Sequence, residues 1–309
     1  MNSILIATWG NPWKPGWDSV KYIHENRTLE SRSSLPILLD CVEPKPDRVL
    51  IIVLDTVVNR FISSYDELLS RVHSMYSEFI GKDLGIDLKN NNVEILIAPG
   101  VGRFNVDGGF IKFDGSLSDF YAYVLFELSK VFLESGDEIT VHLDLSHGIN
   151  FMPSLTLTAL RELLSVLSLI SNVRLKIYNS EPYVKNVTKT LTIHLVEDRE
   201  VTPILDIKPL GMKGECKFLK AKVVAMSPEE RSILKNMRLN RGEVSELNAF
   251  LSSVFNGLPL ALYTFYPDTE DLREKLERAV EFWRSRMSVA RDADEINIVR
   301  KVSFAEDFC

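Results

Sequence analysis

The chain is poor in cysteine and histidine: 309 residues carry 3 cysteines and 5 histidines. Cys41, Cys216 and Cys309 are scattered and form no C-x-x-C pair, which argues against structural zinc and against a redox dithiol. No two histidines stand at metal-ligand spacing, so no metal is expected. An excess of basic charge is also missing. The formal net charge is −7, whereas binding duplex DNA or long RNA rests on many phosphate-neutralising Lys and Arg. A short anionic ligand needs only a few local donors. Long apolar runs are absent too. The most apolar helical stretch, Leu155–Ile170, contains Arg161 and Glu162 and is too short and too charged to span a bilayer. The N-terminus begins directly with a strand-like run and has no secretory pattern. A cytoplasmic protein without a membrane partner is expected.

What is present is an ordinary globular composition, 45% apolar and 26% charged, at a length that suggests two domains. Short continuous apolar runs occur at Ser3–Thr8, Val49–Leu54, Val93–Ala98, Ile139–Leu145 and Val173–Tyr178, as in strands buried on both faces. Amphipathic helices lie between them. Tyr65, Leu68, Leu69, Val72, Tyr76 and Phe79 make one helical stripe; Phe120, Tyr121, Val124, Leu125, Leu128, Val131 and Phe132 make another. This alternation predicts an α/β fold, a Rossmann-like domain with a mainly parallel sheet over residues 1–215. Phe104–Val106 and Phe110–Phe113 flank Asp107-Gly108-Gly109 and read as a hairpin; Lys189–Val196 and Val201–Ile207 read as a closing pair of strands. Gly211–Gly214 reads as the linker.

Residues 216–309 read as a smaller, mainly α-helical domain. Ser227-Pro228-Glu229-Glu230 is a capping-box start for a helix expected to run to about Asn240, with Gly242 ending it. A second helix is expected to stop at Asn256-Gly257. A third spans about Thr269 to Met287 and buries Leu272, Leu276, Val280 and Trp283. The final segment, from Val302 to Cys309, is apolar and lacks a polar tail. It reads either as a surface docked on a partner or, the favoured reading, as a chain that continues further.

In an open parallel α/β sheet, ligands bind beyond the carboxyl ends of the strands. Two loops there carry candidate chemistry. The first, Thr8-Trp9-Gly10-Asn11-Pro12-Trp13-Lys14-Pro15-Gly16-Trp17, holds three of the four tryptophans. Indole faces stack on nucleobases, Thr8 and Asn11 offer hydrogen bonds, Lys14 offers charge, and Gly10 allows close backbone approach. Trp13 and Trp17 read equally as a lid on the core or as dimer packing. The second loop, Asp144-Leu145-Ser146-His147-Gly148-Ile149-Asn150-Phe151-Met152-Pro153, leads into a helix at Pro153. Its free N–H groups and the positive end of the helix dipole suit an anion. Ser146 and Asn150 can bond phosphate, ribose or a base edge, and His147 can stack or donate. The alternative is that Gly148 permits a tight turn and Asp144 caps it. A Ser146–His147–Asp144 triad is disfavoured, because residues so close on one turn rarely reach triad geometry. Gly100-Val101-Gly102 is not the dinucleotide fingerprint. His142 reads as a satisfied core histidine, His24 and His73 as solvated, and His194 as part of a decorating strand.

The Asp144–Pro153 turn, with its Ser-His-Gly-Ile-Asn core, resembles the CARF-domain proteins of the Csx/Csm group, the effectors of type III CRISPR systems. Thr8-Trp9-Gly10-Asn11-Pro12 resembles that group's first nucleotide-binding loop, and Gly257-Leu258-Pro259-Leu260 the region before its nuclease domain. The resemblance implies a homodimer that takes a cyclic oligoadenylate as allosteric ligand, with no other cofactor. Thr8, Trp9, Gly10, Asn11, Lys14 and residues Ser146, His147, Gly148, Ile149 and Asn150 would line the pocket. It also implies cleavage of single-stranded RNA by a HEPN domain through Arg and His four to six residues apart. No histidine follows His194, and no earlier Arg–His pair has that spacing, so no catalytic residue is assigned to this chain. Two other readings stand beside the sensor. Residues 227–256 could form a winged-helix DNA reader, although Glu243–Asn248 is acidic where a recognition helix favours Arg and Lys. A ring nuclease would use Ser146, His147 and Lys14 on the bound ligand itself.

Overall fold

The computed structural model describes residues 2–14, 17–58, 60–106, 109–134, 136–204, 214–222, 226–292 and 295–305. In chain order the elements are β1 (Asn2–Trp9), β2 (Val20–His24), β3 (Arg27–Ser31), α1 (Leu35–Cys41), β4 (Arg48–Leu54) and α2 (Tyr65–Glu78). After a π-helical turn at Phe79–Asp83 come β5 (Val93–Ala98), β6 (Gly102–Val106), β7 (Gly109–Asp114), α3 (Leu117–Leu133), β8 (Glu138–Asp144), α4 (Met152–Leu167), β9 (Asn172–Ser180) and β10 (Thr190–Glu200). The remainder is β11 (Cys216–Lys217), β12 (Leu219–Ala221), α5 (Pro228–Asn236), β13 (Arg238–Leu239), α6 (Arg241–Phe255), α7 (Pro259–Thr264) and α8 (Thr269–Ser285). It closes with β14 (Met287–Asp292), β15 (Glu295–Arg300) and β16 (Val302–Phe304). Two compact units result. One comprises Met1–Asn59, Asp66–Gly100 and Val124–Pro203; the other comprises Arg60–Tyr65, Val101–Tyr123 and Ile204–Cys309.

The first unit is a Rossmann-like sheet ordered β3-β2-β10-β9-β8-β1-β4-β5. Its centre, β9-β8-β1-β4-β5, is all parallel, and the five apolar runs of the sequence supply it. In β1, Ile4, Leu5, Ile6 and Ala7 are all buried, because helices cover both faces of a parallel sheet. The chain winds outward through β1, β4 and β5, then returns to place β8 on the other side of β1. Consecutive crossovers therefore diverge between β1 and β8, and this switch point leaves a crevice at the strands' carboxyl ends.

Several expectations change here. Of the expected closing pair, the first is one long strand: β10 runs antiparallel to β9 with a bulge between Leu195 and Glu197, whereas residues 201–204 form no strand and residues 205–207 lie outside the described residues. A hairpin of β2 and β3, unread in the sequence, extends the sheet beyond β10. His24 is buried, its Nδ1 3.0 Å from the Ile193 carbonyl, because β2 docks beside β10. His142 is a satisfied core histidine: Nε2 lies 3.1 Å from the Pro44 carbonyl and Nδ1 3.1 Å from the Tyr178 hydroxyl.

In the second unit the β6–β7 hairpin forms as the sequence implies, with Asp107 and Gly108 outside the described residues. It does not decorate the large sheet. It joins β14 and β15 in a four-stranded sheet ordered β14-β15-β7-β6. Helix α5 starts at the Ser227 capping box but ends at Asn236, and Gly242 lies inside α6. The reason is Asn240: its side chain accepts the Gly242 and Glu243 N–H groups, and Glu243 returns a bond, so a new helix starts where a stop was expected. Helix α8 ends at Ser285, and Met287 opens β14. Val280 and Trp283 are buried, whereas Leu272 and Leu276 are only half-buried. The apolar tail also has a partner at home, since Val302 and Phe304 are buried as β16, paired with β12. Gly211, Met212 and Lys213 of the expected linker, and residues 306–309, lie outside the described residues. Among the described residues no helix is long and apolar enough to cross a membrane.

Replacing Asn240 with Ala should lower stability by about 1 kcal/mol, measured by urea unfolding, while Asn240→Asp should leave it nearly unchanged. An effect below the resolution of the measurement would show that α6 does not depend on this cap.

Candidate functional site

The crevice between β1 and β8 is built from a few polar contacts. At the end of β1, the Gly10 N–H donates to the His147 carbonyl at 2.8 Å, tying the first loop to the turn after β8. The Gly10 carbonyl accepts from the Tyr76 hydroxyl of α2 at 2.5 Å. A Cβ on Gly10 would lie 2.6 Å from the Ile149 side chain, so the two loops pass too closely for any larger residue. Gly148 is tighter still. A Cβ there would fall 2.4 Å from both Thr8 Oγ1 and Pro153 Cγ.

The turn after β8 is held from beneath by the buried carboxylate of Asp144. It accepts from Ser34 Oγ at 2.5 Å, from the Ser146 N–H at 3.0 Å and from Ser146 Oγ at 2.6 Å. Ser146 Oγ in turn accepts the Ser180 N–H at 3.0 Å. His147 faces inward against Trp17, with ring centroids 4.1 Å apart. Its Nε2 accepts the Ser34 N–H at 3.2 Å and lies 3.1 Å from the Tyr22 hydroxyl. A backbone N–H can only donate, so Nε2 is unprotonated and the ring is the neutral Nδ1–H tautomer. Burial pushes its pKa down to about 4, partly offset by the Asp144 charge. His142 is also pushed down to about 4, first by burial and then by Lys176.

The ten residues expected at the site therefore divide. Thr8, Trp9 and Gly10 are buried. Trp9 packs in an aromatic cluster with Trp17, Tyr76 and Phe79. Ser146, His147 and Gly148 form the framework just described. Asn11 is half-buried, and Lys14, Ile149 and Asn150 are exposed. Asn150 adopts φ 51°, a left-handed conformation that Asn tolerates. Trp17 lids the core and Trp13 remains 44% exposed, which separates the two tryptophans that the sequence left ambiguous. Ser146 bonds Asp144 directly, and the His147 Nε2 is turned to Tyr22 and Ser34, so the three side chains form no nucleophilic relay.

Sequence reasoning missed the braces. Arg32 donates through Nη2 to the Pro12 carbonyl at 2.8 Å and through Nε to the Trp17 carbonyl at 2.9 Å, gripping the first loop at two points. Tyr22, Ser34, Tyr76 and Ser180 come from distant segments and carry no local motif. A cavity of about 460 Å³ flanks the first loop and is lined by Asn11, Trp13 and a second stripe of α2, Arg71, Met75 and Glu78. The spacing of that stripe beside the core stripe was legible. Residues 146–150 do not line this cavity. Among the described residues no cluster of three or more His, Cys, Asp or Glu could hold a metal ion.

Residues 4–182 match the family described as CRISPR system endoribonuclease Csx1, CARF domain. The chain belongs to the Csx1 CARF family. The match spans β1 to the turn after β9, and so contains both loops of the crevice. A curated relative, CRISPR system endoribonuclease Csx1 of Methanocaldococcus jannaschii, is 36% identical over 312 residues. That alignment covers 100% of this chain and 64% of the relative, so the chain spans under two thirds of the relative's length.

Two outcomes test the framework. Gly148→Ala should destabilise the protein by about 1–3 kcal/mol, because Thr8 and Pro153 must both shift; an unchanged urea midpoint would contradict this packing. Both inward-facing imidazoles sit below the unfolded value of about 6.5, so the unfolded state takes up protons first as pH falls. Their contribution is complete above about pH 6.5 and is lost as pH falls towards about 4. Thermal melts should show Tm falling across that window, with a shallower slope for His142→Gln.

Proposed function

We propose that this member of the Csx1 CARF family is a sensor in type III CRISPR defence that takes a cyclic oligoadenylate over the β1–β8 switch point. The observation that carries the reading is the 2.8 Å bond between Gly10 and His147, which brings two polar loops together beside a helix N-terminus. Asn11, Lys14 and Asn150 are the accessible polar side chains of those loops. Helix α4 opens without an acidic residue in its first turn, so the positive end of its dipole is not neutralised locally. The net charge of −7 fits a compact anion held by a few local donors better than a long nucleic acid.

A ring with rotational symmetry suits two copies of the chain related by a two-fold axis, each offering the same turn to opposite phosphates. A homodimer is accordingly part of this reading. Binding is assigned an allosteric role, with the ligand as effector and no further cofactor. The relative is named an endoribonuclease, and no residue of this chain is assigned to RNA cleavage. Ring cleavage by Ser146 and His147 has little support, since both side chains are engaged in the framework.

Isothermal titration calorimetry with cyclic tetra-adenylate and cyclic hexa-adenylate tests the proposal. One of the rings should bind with a stoichiometry of one per two chains. Lys14→Ala should weaken that binding by roughly 10-fold or more, the scale of one charge-assisted contact. A folded protein that gives no heat with either ring would end the sensor reading.

A further inference from the structure

Charge is distributed unevenly along the second unit. Residues 211–241 carry eight Lys and Arg against three Glu, whereas residues 242–281 carry three against eight Asp and Glu. In a chain of net charge −7 the first stretch is a local reversal of sign. It builds the two-stranded sheet of β11 and β13, together with β12 and α5.

The fold gathers the cations of this stretch. Lys217 and Arg238 stand directly opposite each other across the antiparallel pair, while their neighbours Cys216 and Leu239 are buried. Side chains alternate along a strand, so both cations leave on the outer face. Arg241 packs along Gly214, just ahead of β11: a Cβ on that glycine would lie 3.6 Å from Arg241 Cγ. Lys235 stands in the last turn of α5, and the carbonyl of its C-cap, Met237, accepts the Phe218 N–H at 3.2 Å. Lys220 follows in β12, at most about 10 Å along the chain from Lys217. Lys217, Lys220, Lys235 and Arg241 are exposed, and among the described residues none of the four forms an ion pair.

The carboxylates nearby do not cancel them. Glu215 is taken by Arg238 at 2.6 Å, Glu230 lies 3.4 Å from Lys301 and 3.5 Å from Arg286, and Glu243 pairs with Lys275 at 2.6 Å. Glu229 sits at the far end of α5, roughly 9 Å from Lys235 along the helix axis. Glu246 lies more than a turn beyond Arg241 on α6. Lys222 is within electrostatic reach of the buried Asp119 carboxylate, and Arg231 donates to the Met226 carbonyl at 3.3 Å, so neither joins the group.

Four unneutralised cations grouped in this way suit a polyanion. The one aromatic residue of β11, β12, β13, α5 and their connections that is described, Phe218, is buried, so contact is to a phosphate backbone and not to stacked bases. A duplex reader would lay a basic helix in the major groove, whereas α6 brings Glu243 and Glu246. A single strand can bend to follow cations borne on several elements.

We infer that this basic strip, around β11 and β13, binds the phosphate backbone of single-stranded RNA. RNA is chosen because the family is described as an endoribonuclease. The strip is otherwise independent of the crevice and of the sensor reading.

Fluorescence anisotropy with a labelled oligouridylate of about 16 nucleotides tests it, since a uridylate probe leaves an adenylate site empty. Affinity should fall with salt, with a log–log slope of about −3, the value for roughly four phosphate contacts on a single strand. Lys217→Glu combined with Lys220→Glu should weaken binding by at least about 10-fold and roughly halve the slope. Lys235→Ala, a milder change at an exposed helix position, should lower the slope by about 0.7. Arg273→Glu combined with Lys185→Glu alters net charge as much as the first pair, at exposed positions away from the strip, and should shift Kd by less than about 3-fold. Circular dichroism melts establish that each variant is folded. Equal losses in the two double variants, or no salt-dependent binding by the parent, would overturn the strip. Tighter binding of duplex DNA than of oligouridylate overturns it in favour of a DNA reader. Competition by polyglutamate as strong as by unlabelled oligouridylate overturns it in favour of an acidic protein partner.

Discussion

One backbone hydrogen bond, from the Gly10 N–H to the His147 carbonyl, sets the geometry on which the site depends. It joins the carboxyl ends of two adjacent parallel strands after they have left the sheet's own ladder. A bond of this kind forms only if both chains approach closely, and that requirement explains the two glycines. Side chains at Gly10 or Gly148 would meet Ile149, Thr8 or Pro153 at 2.4–2.6 Å. Asp144 then fixes the turn from below. Burying a carboxylate is costly unless it is well hydrogen-bonded, and here Ser34 and Ser146 supply three donors. Removing any of them would leave unsatisfied charge beneath the crevice.

The same network separates inner residues from outer ones. His147 is neutral and turned inward, Trp17 lies across it, and Tyr22 and Ser34 take up its nitrogen. Arg32 holds the first loop through two carbonyls and pairs with Asp83, while its guanidinium lies 4.9 Å from the Phe79 ring centroid. What remains accessible, Asn11, Trp13, Lys14, Ile149 and Asn150, is therefore presented by a rigid base rather than by free loops. Such preorganisation lowers the ordering cost of binding.

The second unit is stabilised by a different set of contacts. Trp283 of α8 stacks on Tyr123 at 5.5 Å and packs against Phe304 at 4.9 Å. The buried Asp119 carboxylate accepts the Phe304 N–H at 2.9 Å, which pins β16 to the start of α3, and burial raises its pKa. Residues 101–123 and the C-terminal strands are far apart in sequence yet share one sheet through β7 and β15. The unit is consequently mixed, with helices α5 to α8 beside strands.

The five central strands and the main helices were legible from the sequence alone, because a strand buried on both faces must be continuously apolar and a covering helix must carry a 3.6-residue stripe. The two site loops followed from strand order and from glycine placement. Strand β15 was missed although Ile296 and Ile298 alternate, since the third inward position is the buried Arg300, whose Nη1 reaches the Asp114 carbonyl at 3.3 Å. The helix stop at Gly242 was misread because the side chain of Asn240, two residues earlier, outweighed the glycine. Which loop residues face outward was beyond local pattern altogether. Ser146 and His147 look like free polar groups in sequence; Asp144 engages Ser146 locally, but Ser180 for Ser146, and Ser34 and Tyr22 for His147, arrive from elsewhere in the chain. Composition and periodicity report burial averaged over an element. The direction of a single polar side chain depends on partners that only the folded chain brings within reach.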